Sequence, residues 1–301
     1  MRSVRVHAFG DESGVSVDEL PIPEPGAGEV RLRVAGAAVN RTDINLRLGK
    51  YGLPEPDPTG HTVGMDVSGV VDALGAGVDG LAVGDAVIAF AGPPNAPGTQ
   101  AEYVVLPVET IAPAPASAEI VRAGTLPLNG LTAIQALRTP DLPVGGRVLV
   151  TGAAGGLGMF LVQLARHEGH EVIAWVKDDA DGAYVQRFGA GTVITAADQL
   201  EPASVDAVLD AATLAQPTIG LIKDGGIYIN FRGVTPELER DITNRHVIVA
   251  NDQAQLRELV ALVDAGDIEL PEVERVPLAD VADAQRRLAA GGIRDRLVLV
   301  P

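Results

Sequence analysis

The sequence predicts an α/β chain in two parts, and three observations lead there. Residues 1 to about 112 read as mostly β, with alternating or apolar runs between glycines and prolines. From Arg147 onward strand and helix patterns alternate. Such alternation implies right-handed crossovers and a parallel sheet covered on both faces. Where the alternation begins lies a glycine-rich turn, Gly152-Ala153-Ala154-Gly155-Gly156-Leu157-Gly158.

Taken in order, 2–9 and 29–38 alternate like half-buried strands, and 63–71 and 85–91 look like buried ones. Pro21, Pro23 and Pro25 stiffen the connector before the second strand, and Gly75, Gly77, Gly80 and Gly84 mark tight turns. Residues 93–98 read as an exposed loop and 101–106 as a further strand. The run Ala112-Pro113-Ala114-Pro115 is a natural boundary, followed by a helical stretch over 118–137 that breaks near Pro127. Strands are then predicted at 147–151, 171–176, 192–195, 207–211, 226–231 and 246–250, with helices at 157–167, 180–188 and 253–265. A tail of strand 272–276, helix 278–289 and strand 296–300 returns to the first part. The expected domains are therefore 1–112 with 266–301, and 113–265.

Composition sets bounds. The chain has 301 residues, 47% hydrophobic and 21% charged, enough to bury a real core. Aromatic residues are only 3%, so aliphatic side chains must build that core. There are no cysteines, which excludes disulfides, thiolate zinc sites and a cysteine nucleophile. No apolar run approaches the roughly 18 residues of a membrane span. The first residues alternate like a strand and carry no apolar signal core, so a cytoplasmic location is the expectation. A net charge of -17 argues against nucleic acid as a partner.

The turn at 152–158 carries the chemistry. Val148-Leu149-Val150 is an apolar strand that runs into it, and an amphipathic helix leaves it. Glycine permits the sharp turn and the close approach of backbone to a pyrophosphate, and the helix N-terminus offers N–H groups and a favourable dipole. The end of the second strand discriminates NAD from NADP. An acidic residue there would accept from a ribose 2′-hydroxyl. This chain has Val176 and then Lys177, which meets a 2′-phosphate or stays solvated, with Asp178, Asp179 and Asp181 close behind. NADPH is the expected cofactor, with NADH not excluded.

Several segments in fixed order bear a resemblance. They are Asn40-Arg41-Thr42-Asp43 with Gly49-Lys50-Tyr51, then 64–71 (GMDVSGVV), 83–87 (VGDAV), 126–133 (LPLNGLTA), the phosphate turn and the closing 296–299 (RLVL). Over nearly its whole length the chain resembles the quinone oxidoreductase (zeta-crystallin-like) branch of the medium-chain dehydrogenase/reductase superfamily. The resemblance implies a GroES-like, partly open β-barrel domain plus a Rossmann domain, a homodimer, and reduction of quinones, enones or enoyl thioesters with NADPH. Zinc-dependent relatives carry a cysteine at the place of Asn40 and a His-Glu pair at Met65 and Asp66, so no zinc is expected here. His61 lies too early in the motif to replace that histidine.

By the same resemblance Asn40, Asp43, Tyr51 and Thr132 line the nicotinamide end of the site. Gly152, Ala154, Gly155, Gly156 and Leu157 cover the pyrophosphate, and Lys177, Asn230, Phe231 and Arg296 also serve the cofactor. NADPH-binding relatives often carry a lysine where this chain has Asp181 and a tyrosine where it has Ala196. Their glycine before the last strand is Asp295 here.

Without a metal an alcohol is hard to oxidise, because nothing acidifies its hydroxyl. A conjugated carbonyl is easier: hydride adds to the β-carbon, charge spreads to oxygen, and orientation and hydrogen-bond donors suffice. Tyr51 is the candidate acid, or else a packing residue with solvent as the acid. Asn40 would orient the carboxamide or substrate oxygen, and Asp43 would fix local backbone or transfer protons. The first functional expectation is an NADPH-dependent reductase of small-molecule quinones or α,β-unsaturated carbonyls. The alternatives are an enoyl-thioester reductase of a biosynthetic pathway, and a non-redox cofactor-binding protein or cyclase on the same fold.

Overall fold

The structure is a computed structural model and describes residues 1–92, 97–139 and 142–301. Most of the predicted loop at 93–98 therefore lies outside the described residues. Two compact units divide the chain. The first comprises Met1–Leu128, Asn251–Gly266 and Leu270–Pro301, the second Asn129–Ala250 with Asp267–Glu269.

The first unit is built around the ten-residue strand Glu29–Ala38. Its period-2 pattern buries Val30, Leu32 and Val34 and turns Arg31 and Arg33 outward. Asp66–Leu74 pairs with it antiparallel on one side and Tyr103–Pro107 on the other. Ala86–Phe90 and Ile111–Pro113 extend the sheet beyond Asp66–Leu74. At the far end Ala37 and Ala38 pair with Leu299 and Val298 of the closing strand Arg296–Val300, which in turn pairs in parallel with Val273–Pro277. An aliphatic core of Val30, Leu32, Val67, Val87, Val104, Leu106 and Ile111 fills this sheet. A second, three-stranded sheet orders Val15–Glu19, Arg2–Val6 and His61–Thr62. Val15–Glu19 is absent from the sequence-based elements. It is short and mixes Ser and Asp with valine, but pairing sets Val15 and Val17 opposite Val6 and Val4.

The boundaries drawn from sequence differ from these units at 113–128 and 251–265, which pack with the first unit, and at 267–269, which pack with the second. The reason is hydrogen bonding: Gln253 of the helix Gln253–Ala265 donates to the carbonyls of Val108 at 3.0 Å and Ile111 at 2.7 Å, and Ser117 N donates to Asp264 at 2.8 Å. The predicted break in 118–137 separates Ile120–Ala123 from Pro127–Leu137, with Pro127 at the start of the second helix, where its missing N–H is harmless.

The second unit is a six-stranded parallel sheet in the order Thr192–Ile194, Glu171–Trp175, Arg147–Thr151, Val205–Asp210, Ile222–Asn230, Thr243–His246. In the unit's own numbering this is 3-2-1-4-5-6, the doubly wound order, whose direction of winding reverses between Arg147–Thr151 and Val205–Asp210. The last strand lies three residues earlier than the apolar run at 246–250 suggests. Register pairs Asn230 with His246 and ends there, after which Ala250 docks by two bonds to the Gln135 amide. Among the described residues no helix is long and apolar enough to cross a membrane.

Arg47 anchors the first unit. It is 3% exposed and closes the helix Arg41–Arg47. It donates to Gln285 at 2.8 Å, to the Gly10 carbonyl at 2.5 Å and to Glu12 at 2.8 Å. Replacement by alanine strands the buried Gln285 oxygen and two part-buried acceptors, and Arg47→Ala is expected to cost about 2–4 kcal/mol in denaturant unfolding.

Candidate functional site

The glycine-rich turn has the geometry its sequence implies. Arg147–Thr151 ends at Gly152, whose φ of +59° only glycine adopts without strain. Gly155 N donates back to the Gly152 carbonyl at 2.9 Å, and Met159 N to the Gly155 carbonyl at 3.0 Å, so the helix Gly158–His167 is wound tightly against the turn. A Cβ on Gly158 would collide with the Gly152 carbonyl oxygen and lie 2.7 Å from the Ala153 Cα. Gly155 is exposed, while Ala154, Gly156 and Leu157 are half-buried. The turn sits at the carboxyl edge of the sheet, beside the switch point, with the N-terminal end of a helix behind it.

At the end of the second strand Val176 is buried and Lys177 exposed. The Asp178 carboxylate accepts from Asp181 N at 2.9 Å and caps the helix Asp179–Gln186. Ala196 lies in a turn held by Gln199, whose side-chain oxygen accepts from Thr195 N at 2.6 Å and Ala196 N at 3.0 Å. Thr132 is buried on the helix Pro127–Leu137. Asn230 is also buried, and its amide is spent on local structure: it donates to Asn244 at 2.9 Å and accepts from Gly233 N at 2.8 Å. Phe231 follows it, half-buried.

The first unit gathers Asn40, Asp43 and Arg296 with two residues not chosen as site residues, Asp66 and Gln100. Asn40 donates to Asp66 at 2.7 Å and accepts from Arg296 at 2.6 Å. Arg296 also donates to the Val39 carbonyl at 3.1 Å. Asp43 accepts from Asn40 N at 2.7 Å, starting the helix Arg41–Arg47, and from Gln100 at 3.0 Å. Asp66 accepts from Leu128 N at 2.5 Å. Both carboxyls are essentially inaccessible. Burial pushes Asp43 up to about 7, helped by the Asp66 charge and opposed by the Asn40 N–H and Arg296. Burial likewise lifts Asp66 to about 6 against the pull of Leu128 N, the Asn40 amide and Arg296. Burial also lowers the guanidinium of Arg296, and the two aspartates act the other way. Tyr51 is 39% exposed in the turn after the helix. His61 Nε2 donates to the Pro54 carbonyl at 2.9 Å, and its ring stacks on Phe9.

A third buried carboxylate, Asp210, escaped the sequence reading. Its signal is an aspartate closing the apolar strand Val205–Asp210, with Thr151 and Tyr228 on the two flanking strands. Among the described residues no three His, Cys, Asp or Glu side chains gather as a metal site.

A GroES-like first unit and a doubly wound second unit with a phosphate turn define a two-domain, dinucleotide-dependent class. The alcohol dehydrogenase GroES-like domain matches residues 26–116, and the zinc-binding dehydrogenase family matches 180–299. A chloroplastic NADPH-dependent alkenal/one oxidoreductase of Arabidopsis thaliana is 29% identical over 100% of this chain and 80% of its own. The solved structure of an NAD-dependent alcohol dehydrogenase is 28% identical with a TM-score of 0.89, covering 100% of both chains. A quinone oxidoreductase from Coxiella burnetii is 26% identical with a TM-score of 0.87, covering 100% of this chain and 99% of that one. The chain therefore carries both domains of these oxidoreductases and is similar over its whole length to members of the medium-chain dehydrogenase/reductase superfamily.

Two measurements check the site's physics. Gly158→Ala forces the turn open and is expected to cost about 1–3 kcal/mol while weakening dinucleotide binding in the same titration. Asp43 has its carboxyl raised from 3.8 to about 7, so the stability of its neutral form is full below about 4 and lost as pH rises through about 7. Asp43→Asn keeps a neutral acceptor. The difference in unfolding free energy, variant minus wild type, is expected to grow in the variant's favour across that window and level off above it.

Proposed function

We propose that the chain is an NADPH-dependent reductase of quinones or α,β-unsaturated carbonyls, working by hydride transfer without zinc. The observation that carries this reading is the phosphate turn at the switch point of the parallel sheet, where a dinucleotide's pyrophosphate meets glycine backbone and a helix N-terminus. The substrate class is drawn from the relatives' own names, an alkenal/one oxidoreductase and a quinone oxidoreductase.

The residues at the metal position support a zinc-free site. An amide, a thioether and a carboxylate stand at Asn40, Met65 and Asp66. Zinc prefers thiolate, imidazole and carboxylate. The Asn40 amide is already spent, with one end on Asp66 and the other on Arg296. No step is therefore routed through a metal, and a conjugated carbonyl is the substrate that such a site can reduce.

When bound, the reduced nicotinamide supplies hydride to the β-carbon of the substrate. The backbone of Gly152 to Leu157 holds the pyrophosphate, and Lys177 meets the 2′-phosphate. Thr132 and Phe231 shape the nicotinamide end. Asn40 and Asp43 act by position, since their polar atoms are engaged within the first unit. Tyr51 donates its hydroxyl proton as charge develops on the substrate oxygen. NADH is a second cofactor to weigh, because Lys177 is followed by Asp178, Asp179 and Asp181. Homodimer formation is supported by the edge strand Thr243–His246 and by Ile248, 77% exposed just after it. A cytoplasmic location completes the reading.

The test is a panel of 1,4-benzoquinone, an enone and a crotonyl thioester, each with NADPH and with NADH. Oxidation of NADPH by quinone or enone, unaffected by a chelator, is expected; no oxidation of either cofactor by any of the three sinks the proposal. Tyr51→Phe is expected to lower kcat for the enone about 100-fold with KM little changed. An unchanged kcat assigns the acid to solvent.

A further inference from the structure

The two loops that leave the carboxyl edge on either side of the switch point are tied together through one side chain. Asp210 ends the strand Val205–Asp210 opposite Thr151 in the parallel register. Its carboxylate is 1% exposed and accepts four bonds. On one oxygen these come from Thr151 Oγ1 at 2.5 Å and Leu214 N at 3.0 Å, on the other from Tyr228 OH at 2.6 Å and Ala215 N at 2.8 Å. Thr151 Oγ1 accepts in turn from Ala212 N at 3.0 Å. Thr151 and Tyr228 are fully buried. Burial and the Asp210 charge hold the Tyr228 phenol well above its ordinary range, so it stays a donor.

The segment fixed in this way is strained. Thr213 has φ +62° and Ala215 φ +56°, a region that side chains with a Cβ rarely enter. Such a conformation persists only where its surroundings over-determine it, and three of its N–H groups are held by Asp210 and Thr151. The segment also abuts the phosphate turn: a Cβ added to Gly152 would lie 3.1 Å from the Ala212 Cβ. In a doubly wound sheet the dinucleotide lies in the crevice outside the switch point, between these two loops. One wall is the turn 152–157 and the other is 211–215.

We propose that Asp210 is a positioning residue for the dinucleotide: it holds the strained segment 211–215 as the second wall of the cofactor crevice, with Thr151 as its link to the phosphate turn. The inference rests on the reductase reading above. The carboxylate acts through the segment, since its four bonds go to protein groups. It fixes the width of the crevice, so its loss shows in cofactor affinity rather than only in stability.

Asp206 supplies the control. It lies on the same strand at the opposite edge of the sheet and accepts from Arg147 N at 2.8 Å and Lys223 at 2.6 Å. Asp210→Asn, Thr151→Val and Asp206→Asn are compared with wild type by calorimetric titration with NADPH and, separately, NADH, alongside thermal unfolding. In Asp210→Asn the amide nitrogen faces at least one N–H of the strained segment. Thr151→Val keeps the shape of the side chain and removes the hydroxyl link. Both are expected to raise the Kd on the order of tenfold or more. Asp206→Asn is expected to lower the melting temperature and leave Kd within about twofold. If Asp210→Asn does not fold, Thr151→Val decides alone. Unchanged affinity in the folded variants overturns the inference and leaves the reductase reading standing. Equal weakening by Asp206→Asn also overturns it, since the effect is then general destabilisation. Wild-type protein that binds neither dinucleotide overturns both.

Discussion

Gly158 touches the carbonyl of Gly152 with no room for a side chain between them. This backbone contact sets the distance from the end of the central strand to the start of the helix, and so the shape of the turn. Gly152 must be left-handed for the chain to reverse, and Gly158 must lack a Cβ for the helix to return against the sheet. Strand Arg147–Thr151 is central in the second unit, with neighbours on both sides. The position of the helix therefore follows from the sheet, and the turn is displayed at its carboxyl edge. A buried apolar core of Leu149, Ile173, Val208 and Tyr228 fixes the strands that bear it.

The first unit meets a different demand. A carboxylate taken out of water needs a compensating charge, and that of Asp66 is fully buried. Here Arg296 faces that carboxylate and Asp43, with Asn40 between as donor to one partner and acceptor from the other. Two buried acids against one base leave an excess negative charge, and burial answers by raising both acids toward neutrality. The network is satisfied at the carboxylates and under-satisfied at Arg296, whose buried Nε has no partner. The same residues cannot both complete this network and offer free donors to a substrate. In the reductase reading proposed above, polarising a carbonyl then falls to a side chain such as Tyr51, which is 39% exposed.

Local patterns made much of this legible. Alternation in 29–38, the strand-turn-helix at 147–167 and the proline at 127 each act through neighbouring residues, and each predicts a neighbouring conformation. The strand Val15–Glu19 was not legible because its pairing with Arg2–Val6, not its own composition, makes it a strand. The strand at Thr243–His246 was displaced in the sequence reading for the same reason: the valine-rich run after it has the stronger propensity, but the parallel register ends at His246. The docking of Gln253–Ala265 with the first unit rests on Gln253 reaching carbonyls some 140 residues away, which periodicity does not encode. In the site, the glycines were readable as backbone requirements. The roles of Asn40, Arg296 and Asn230 were not, because a polar side chain's partners are set by tertiary contacts.

Asp43, Asp66 and Asp210 show what these hidden residues have in common. Each is buried, and each accepts at least one backbone N–H from a segment that regular structure leaves unsupported: the start of the helix Arg41–Arg47, Leu128 near the start of a helix, and the strained segment after Val205–Asp210. A carboxylate is suited to this because it accepts several bonds at once and accepts them strongly. At Asp210, where both oxygens accept, a neutral side chain of similar size would satisfy fewer of them. The cost is desolvation, which the N–H groups offset only while the segment keeps its conformation. Carboxylate and segment therefore depend on each other, and a loop next to a binding crevice gains rigidity without needing a regular element of its own.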